Sequence, residues 1–386
     1  MVGSMRRLAQ VMLVIFGILQ AVLAVRVVAR MMRSAGGQRI ASSPTPRAGR
    51  VSVIVPVLNE QDRLDPCLAG LAAQGEVVSE ILVVDGGSTD RTCDVVDRWA
   101  ARDSRIRLIR AGSAPAGANG KVHNLQAGLR EASPETSWIL TIDADVRPTP
   151  ALATSLVGFA EDHAVQALSV ATRQRLSGWE EALVHPAMLT TLVYRFGIPG
   201  HATTDPHEIQ ANGQCMLLSR TALASVDGFA DLGGVIAEDV TLARNLAARG
   251  IPVGFYESDD LVDVEMYDSA RDALVNWSRS LPMRDRYWGP RERTGLAELA
   301  LVQAAPLPLS LLARRPGVLG LLGRLNLGLV MMRLGTLAGT RRAYTEAPLT
   351  YWVSPITDIP VVAAVGLQAM RRTHTWRGRT VMRRDD

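Results

Sequence analysis

Apolar residues follow two different patterns along the chain. Between residues 51 and 145, short β-branched runs alternate with stretches in which leucine and valine recur at helical spacing. This alternation predicts strands at 51–57, 81–85, 106–110 and 138–145, and helices through 64–71, over 90–101 and after Gly120. Because the strands are continuously apolar and alternate with helices, they predict an α/β fold with a parallel sheet covered on both faces.

A longer apolar run occupies residues 8–25, where two glutamines are the only polar residues. It is long enough to cross the hydrocarbon core of a bilayer as a helix. We therefore expect an N-terminal transmembrane anchor over residues 1–30, and a Gly-, Ser- and Pro-rich linker over 31–50. Arginines are more numerous after the run than before it, which favours the cytosol for the domain that follows.

The C-terminal third also contains long apolar segments, at 296–337 and 351–370. They predict a membrane region over 291–372, built from transmembrane or interfacial helices and followed by a basic tail over 373–386. Two prolines within 296–313 favour an interfacial position for that stretch, so the number of spans stays open. The chain is thus expected to be a multi-pass protein of the cell membrane with a cytosolic α/β domain.

The charge balance adds to the membrane interpretation. The formal net charge is +4, and much of the arginine excess lies beside the apolar segments, where anionic lipid headgroups would favour it. No nucleic-acid partner is expected on this basis. Three scattered cysteines have no metal-ligand spacing and are expected to be reduced thiols.

Polar residues follow the ends of the predicted strands. In a parallel sheet these ends share one rim, where ligands bind. Several carboxylates on one rim repel one another unless a cation or hydrogen-bond donors are present. Two aspartates separated by one residue, as in 143–145, can offer oxygen ligands to Mg²⁺ or Mn²⁺. The rim residues are Pro56, Asn59, Glu60, Asp85, Asp143 and Asp145.

Five motifs in order resemble the family 2 glycosyltransferases with the GT-A fold: VSVIVPVLNE, VVDGGSTD, GK followed by HN, TIDAD and GGVIAED. The resemblance covers roughly Val51 to Tyr256, and the whole domain is expected over 51–290. It implies a Rossmann-like, mostly parallel sheet with helices on both faces. It further implies an inverting hexosyltransferase that binds a nucleotide-diphosphate sugar, with a UDP-sugar favoured, and a divalent metal, Mg²⁺ or Mn²⁺.

The resemblance also implies roles for individual residues. Asp239 would be the general base that accepts the proton of the acceptor hydroxyl, with Glu238 beside it. Asp145 and Asp143 would hold the metal. The chain's single lysine, Lys121, can approach a diphosphate as a compact charge. The full set expected to bind the nucleotide sugar is Pro56, Asn59, Glu60, Asp85, Lys121, Asn124 and Asp143.

Further residues are expected in the acceptor and sugar cleft. They are Asn212 and Gln214 in NGQCMLL, Trp179, and Arg284 and Arg286 in PMRDRYW. For the two arginines an interfacial basic and aromatic cluster is an equal alternative. The QxxRW motif of processive polysaccharide synthases is absent as written, which weakens a polymer-synthase interpretation.

The two apolar ends and the tail segment THTWRGRT resemble membrane-bound bacterial glycosyltransferases that act on hydrophobic lipids, of the carotenoid, hopanoid-associated and ceramide types. This resemblance implies a membrane lipid acceptor and a role in glycolipid biosynthesis at the cytosolic face. Two alternatives stay open. One is a polyprenyl-phosphate glycosyltransferase, and the other is a catalytically inert membrane protein that binds sugar nucleotides.

Overall fold

The computed structural model describes residues 2–43, 45, 50–371, 373–376 and 379–382. The helices are α1 (Val2–Ser34), α2 (Leu64–Ala72), α3 (Thr92–Ala100), α4 (Gly120–Glu131), α5 (Leu152–Asp162), α6 (Trp179–Phe196), α7 (Arg220–Ser225), α8 (Glu238–Ala248), α9 (Ala270–Ser280), α10 (Pro290–Glu298), α11 (Pro306–Ser310), α12 (Gly317–Thr340), α13 (Leu349–Trp352) and α14 (Asp358–Met370).

The strands are β1 (Val51–Val57), β2 (Val78–Asp85), β3 (Ile106–Arg110), β4 (Trp138–Ile142), β5 (Val146–Pro148), β6 (Ala167–Ala171), β7 (Arg173–Gln174), β8 (His201–Thr203), β9 (Cys215–Ser219), β10 (Val253–Glu257), β11 (Val262–Val264), β12 (Thr373–Trp376) and β13 (Arg379–Met382). The last two pair as a hairpin within the predicted basic tail, part of which lies outside the described residues.

Eight strands form the central sheet in the order β3-β2-β1-β4-β9-β6-β10-β8. The first four run parallel, and β10 is parallel to β6. Strand β9 is antiparallel to both of its neighbours, and β8 is antiparallel to β10 at the edge. A three-stranded sheet of β5, β11 and β7 lies apart. The mostly parallel α/β fold expected from the sequence is confirmed.

The apolar strands are continuous because both faces of the sheet are covered. Val53 and Val55 of β1 belong to one buried cluster, which also contains residues of α2 and α5. Ile54, between them, belongs to a second cluster that contains residues of α4 and α8. Each strand residue therefore contacts a helical layer whichever face it points to.

The predicted linker is partly helical and partly bonded to the domain. Helix α1 continues to Ser34, and residues 38–40 then run beside the sheet. Gln38 N donates to Gly200 O at 2.9 Å and Ile40 N donates to Glu257 O at 2.9 Å. The Ile40 side chain is fully buried. These contacts tie the end of α1 to the edge of the domain.

Two helices among the described residues are long and apolar enough to cross a membrane, over Arg7–Ser34 and Gly317–Ala343. The segment Ser354–Met370 is apolar but shorter. The stretch 296–313 is not one helix, because a π-helical turn over Leu299–Ala304 separates α10 from α11. Two candidate spans give weak support for membrane association, and the three apolar segments of the sequence do not become three long helices.

Candidate active site

The carboxyl ends of β1, β2 and β4 surround a cavity of about 470 Å³. A larger cavity of about 1030 Å³ lies toward α6, α9 and α12. Both are lined by Lys121, Asp143 and Asp145, so these three side chains form part of the boundary between them. The strand ends that the sequence placed at one rim of the sheet therefore contribute to a wall shared by the two cavities.

Lys121 lies in the first turn of α4, whose start is capped by Asn119. Its Nζ is 2.7 Å from Asp143 Oδ1 and 3.0 Å from Glu238 Oε1, and it donates to Gly213 O at 3.3 Å. Burial alone would lower the pKa of this ammonium, but the carboxylates around it, that of Asp143 first, raise it above its usual value. Lys121 therefore links the strand-end aspartates to the start of α8.

Asp239 occupies the first turn of α8, beside the larger cavity. Its Oδ2 accepts a hydrogen bond from Gly213 N at 2.6 Å, and its Oδ1 accepts one from Val240 N at 2.8 Å. Burial and the adjacent charge of Glu238 raise the pKa of Asp239 to about 6. A carboxylate held in this way is ionised near neutral pH and retains useful basicity.

Asp145 lies just beyond the end of β4, between the two cavities. Its Oδ1 is buried without a hydrogen-bond partner in the described part of the chain. Burial, with the charges of Asp143 and Glu60, raises the pKa of Asp145 to about 7. An orphaned carboxylate oxygen close to two other carboxylates fits a divalent cation. No complete cluster of three protein ligands is found among the described residues.

Two residues of the predicted nucleotide site shape the loops. Asp85 accepts hydrogen bonds from the backbone of Gly87 and Ser88 at 3.0–3.2 Å. Asn59 has a positive φ of 56°, and its Oδ1 accepts from Thr89 N at 2.9 Å. These bonds hold the loops after β1 and β2 together. Of the seven residues expected to bind the nucleotide sugar, five line the smaller cavity: Pro56, Glu60, Lys121, Asn124 and Asp143.

Asn124 connects the ends of the two central strands. Its Nδ2 donates to Val57 O and to Val84 O, both at 3.1 Å. A Cβ at Gly86 would lie 2.9 Å from the same amide, which explains the glycine there. Asn124 Oδ1 is buried without a hydrogen-bond partner among the described residues. The amide thus braces the strand ends and also lines the smaller cavity.

Asn212 and Gln214, two of the residues predicted for the acceptor and sugar cleft, line the larger cavity. Gln214 Oε1 accepts from Thr172 Oγ1 at 2.6 Å and from Asn212 Nδ2 at 2.8 Å. Between them, Gly213 supplies the amide that binds Asp239 and the carbonyl that binds Lys121. This short segment therefore connects the cleft residues to the charged cluster.

Three residues expected in the cleft lie elsewhere in the structure. Trp179 begins α6, is 61% exposed and lines neither of the two cavities. Arg284 donates to Ala369 O and stacks over Trp288 at 5.0 Å, whereas Arg286 donates to Asn245 Oδ1 at 2.5 Å. The loop after α9 turns the side chains of Arg284 and Arg286 toward α14 and α8.

Two side chains that the sequence did not single out as site residues enter the cavities from α9 and the turn before it. Tyr267 and Arg279 line both chambers. Burial lowers the pKa of Arg279 from its usual value. Both residues were missed because they follow the last of the five motifs in the sequence. The one feature that could have indicated Arg279 is its position on an amphipathic helix.

The walls of the larger cavity are mostly apolar. Leu189, Leu192 and Val193 of α6 contribute, and so does Trp277 of α9. His185 is buried at the same wall, with Nδ1 3.0 Å from Tyr344 OH and no partner for Nε2 among the described residues. Burial lowers the pKa of His185 to about 3, so its imidazole is neutral. The cavity reaches α12, one of the two candidate membrane helices.

The Rossmann-like, mostly parallel sheet with acidic side chains at its strand ends is the arrangement that the resemblance to the GT-A fold implied. The sequence profile of glycosyl transferase family 2 matches residues 52–226. The match covers 175 of the 386 residues, so similarity to this family is shown for that segment of the chain. With this match the resemblance read from the five motifs is confirmed.

Two bacterial glycosyltransferases show local similarity. One is the uncharacterized glycosyltransferase EpsJ of Bacillus subtilis (strain 168), 37% identical over 59 residues. The other is the glycosyltransferase GlyG of Streptococcus pneumoniae serotype 4, 30% identical over 95 residues. The matches span 15% and 25% of this chain, and 17% and 30% of those proteins.

The fold is similar over almost the whole chain to that of a solved archaeal enzyme. The mannosyltransferase PcManGT of Pyrobaculum calidifontis, solved with GDP-Man and Mn²⁺, superposes with a TM-score of 0.58 at 20% sequence identity. The superposition covers 94% of this chain and 98% of that one. The shared architecture therefore extends beyond the family 2 domain.

Proposed function

We propose that the protein transfers a sugar from a nucleotide-diphosphate sugar to a hydroxyl group of a hydrophobic lipid, with inversion at the anomeric carbon. The observation that carries this proposal is the meeting of two cavities at one charged wall. The smaller cavity, at the strand ends, suits the donor. The larger one, apolar and bordered by α12, suits a lipid acceptor whose hydroxyl reaches the wall.

In the proposed reaction the acceptor hydroxyl attacks the anomeric carbon from the side opposite the diphosphate. A bond forms between the acceptor oxygen and that carbon, while the bond from the carbon to the phosphate oxygen breaks. The hydroxyl proton passes to Asp239, and the nucleoside diphosphate leaves with the electron pair. The Gly213 and Val240 amides hold this carboxylate in place. Glu238 stays bound to Lys121 beside it.

Asp145 and Asp143 would hold a divalent metal, which neutralises the charge of the diphosphate when bound. The orphaned Asp145 Oδ1 supports this part of the proposal. PcManGT was solved with Mn²⁺, which favours the same ion here. We expect Mn²⁺ to raise the melting temperature of the protein and Asp145→Asn to remove that shift. Equal shifts in both proteins would place the ion elsewhere.

The nucleotide of the donor can be identified by testing several nucleotide sugars side by side. The motif resemblance favours a UDP-sugar, whereas PcManGT was solved with GDP-Man. UDP-glucose, UDP-N-acetylglucosamine and GDP-mannose, each with Mn²⁺, form the first panel. Release of the nucleoside diphosphate in the presence of lipid extract identifies the donor.

Membrane attachment is proposed through α1 and α12, with the catalytic domain on the cytosolic side. Apolar side chains on both helices face outward, with Val25 67% and Leu321 61% exposed. A protein surface of this kind is stable against lipid rather than water. The arginines that follow the first apolar run favour the cytosolic side for the domain.

The decisive experiment is mass spectrometry of membrane lipids from a host that expresses the protein. We expect one lipid species to gain a single sugar, and Asp239→Asn to abolish that species. Asp97→Asn on the exposed face of α3 is the matched control and should leave it unchanged. A sugar-shifted lipid present with both the native protein and Asp239→Asn, or with neither, contradicts the mechanism.

Other outcomes distinguish the alternative functions. A polyprenyl phosphate is already anionic and needs no general base, so transfer retained by Asp239→Asn onto such a lipid would identify that acceptor. A protein that binds the nucleotide sugar with Mn²⁺ but gives no turnover with any lipid would be a binding protein instead.

A further inference from the structure

A third cavity, of about 560 Å³, lies at the end of α1, on the side of the sheet edge formed by β8 and β10. It adjoins the larger cavity, with which it shares lining residues such as Ile198 and Phe255. None of the charged active-site residues borders it, that is, Lys121, Asp143, Asp145 and Asp239. Its walls come from the last turns of α1, the end of α6, β8 and α10. No step of the proposed reaction uses it.

Cationic side chains dominate this third cavity. Five arginines line it against three glutamates, and the arginines are Arg26, Arg30, Arg33, Arg195 and Arg291. Glu298 bonds two of them, Arg26 at 3.0 Å and Arg30 at 2.9 Å, and Glu208 bonds Arg291 at 2.7 Å. The third glutamate, Glu292, binds His207 at 2.7 Å. The glutamates are therefore engaged, and positive charge remains in excess.

Arg195 contributes most to this excess. Its Nη2 donates to Leu281 O at 2.8 Å, and its guanidinium stacks over the ring of Phe196 at 4.7 Å. Its Nε is buried with no hydrogen-bond partner in the described part of the chain. Burial first, and then the charge of Arg244, lower the pKa of Arg195 to about 9, and the nearby carboxylates of Glu292 and Glu298 oppose this shift only in part. No direct ion pair of Arg195 is found in the described part of the chain, so a bound anion could occupy the free side of its guanidinium.

We propose that this third cavity binds a phosphate-bearing anionic group, with Arg195 and Arg33 as its main contacts. Guanidinium groups bind phosphate oxygens through paired hydrogen bonds. Arg33 is exposed in the last turn of α1 and can complete the site from the solvent side. The phosphate belongs either to a membrane phospholipid or to a free phosphorylated solute.

The position of the cavity relates it to the bilayer surface. Arg33 and Arg30 follow directly on the apolar run of α1, where the headgroup layer would begin. Residues 38–40 then continue to the sheet edge and hydrogen-bond Gly200 and Glu257. A phosphate bound in the cavity would thus contact the membrane helix and the domain together, and would fix the domain relative to the lipid surface.

The test is a binding measurement on the full-length protein in a zwitterionic detergent, without any sugar nucleotide. Dioctanoyl phosphatidylglycerol, dioctanoyl phosphatidylcholine and inorganic phosphate are titrated separately by microscale thermophoresis. We expect the phosphatidylglycerol to bind, and Arg195→Gln and Arg33→Gln each to weaken its binding about tenfold, equivalent to about 1.4 kcal/mol, because each removes a charge-assisted hydrogen bond. Arg98→Gln, on α3 near the opposite edge of the sheet, is the matched control and should bind normally.

Each result decides for or against the proposal. Binding of the phosphatidylglycerol that inorganic phosphate does not displace supports a lipid headgroup, and displacement by phosphate supports a free phosphorylated solute. If the native protein does not bind the phosphatidylglycerol, or if Arg33→Gln binds it as tightly as the native protein does, the proposed site is contradicted. Arg33→Gln keeps the test valid if Arg195→Gln unfolds the chain. Since no donor is present, failure here leaves the proposed sugar transfer untouched.

Discussion

Lys121 contacts two carboxylates that come from distant segments of the sequence. It lies within 3.0 Å of one carboxylate from the end of β4 and one from the start of α8, and it borders both cavities. A Cβ on Gly213 would come within 3.0 Å of its Nζ, so the space around the ammonium is small. The only lysine of the chain therefore occupies a position where the shape of the cation matters as much as its charge.

Lys121→Arg is expected to weaken donor binding even though the charge is retained. The planar guanidinium is larger than the ammonium and would displace Asp143 or the backbone of Gly213. We expect the donor Michaelis constant to rise about tenfold, equivalent to about 1.4 kcal/mol. The exchange Arg98→Lys on α3 is the control. An unchanged donor constant for Lys121→Arg would mean that the lysine has no special role.

Asp239 leads to a prediction of pH dependence. Because burial and Glu238 raise its pKa to about 6, the carboxylate becomes protonated and loses its basicity as the pH falls through 6. We expect kcat/KM, which reports on the free enzyme, to fall on the acid side with this apparent pKa. Asp239→Asn should reduce turnover by about 10²- to 10⁴-fold and leave the donor Michaelis constant nearly unchanged. An acid limb that persists in the residual activity of Asp239→Asn would assign that titration to another group.

At the scale of elements, the two candidate membrane helices are joined by a pair of buried amides. Gln20 of α1 donates to Asn326 Oδ1 of α12 at 2.8 Å, and Asn326 donates back to Gln20 Oε1 at 3.0 Å. Gln20 also donates to Leu301 O at 2.7 Å. Both side chains are fully buried. This reciprocal bond sets the register of α1 against α12 in a surface that is otherwise apolar.

We expect Gln20→Leu and Asn326→Leu to destabilise the packing of α1 by about 1 kcal/mol each, because each leaves an amide without its partner. The double variant should lose less than the sum of the two. Thermal unfolding of the detergent-solubilised protein gives the three values of a double-mutant cycle. Strictly additive losses would show that the two amides do not interact.

At the scale of the whole molecule, the two helices and the domain form one packed unit. Leu23 and Val27 of α1 share a buried cluster with Leu329 of α12 and Val365 of α14. Glu298, at the end of α10, binds Arg26 and Arg30 of α1. The two candidate membrane helices therefore pack directly against the domain.

This arrangement predicts a single, protected orientation in the cell. If the domain faces the cytosol, proteinase K added to intact spheroplasts should leave it uncut, whereas lysis should expose it. The protein should also remain in the membrane pellet after carbonate extraction. Cleavage of the domain in sealed spheroplasts would reverse the proposed orientation, and extraction by carbonate would mean that α1 and α12 do not cross the bilayer.

The strands and the motifs could be predicted because they depend on neighbours along the chain. The runs 51–57 and 106–110 form strands with the predicted limits, β2 begins three residues early, and β4 ends at Ile142. The antiparallel direction of β9 was not foreseen, since a five-residue apolar run carries no information about its direction. The local pattern therefore establishes which elements exist, and not how all of them pair.

The residues of the cleft were also predicted only in part, because the local pattern does not show how distant helices pack. Asn212 and Gln214 lie in the larger cavity because their motif precedes β9, a strand of the central sheet. Trp179, Arg284 and Arg286 do not line it, since their helix and loop are oriented by packing against distant helices. Arg279 and His185 enter the cavities for the same reason. Spacing along the chain does not reveal such contacts.

The α/β alternation, the acidic strand ends and the two apolar ends can be predicted from the order of residues, because period, order and composition are local properties of a covalent chain. The position of Lys121 between Asp143 and Glu238, which are far apart in sequence, depends on how the chain folds. Packing of distant segments also brings α1 against α12 and leaves the three cavities, of which the larger active-site cavity is lined by residues of both helices. Such features arise when distant segments bury apolar surface together, and the burial then sets which charged groups meet.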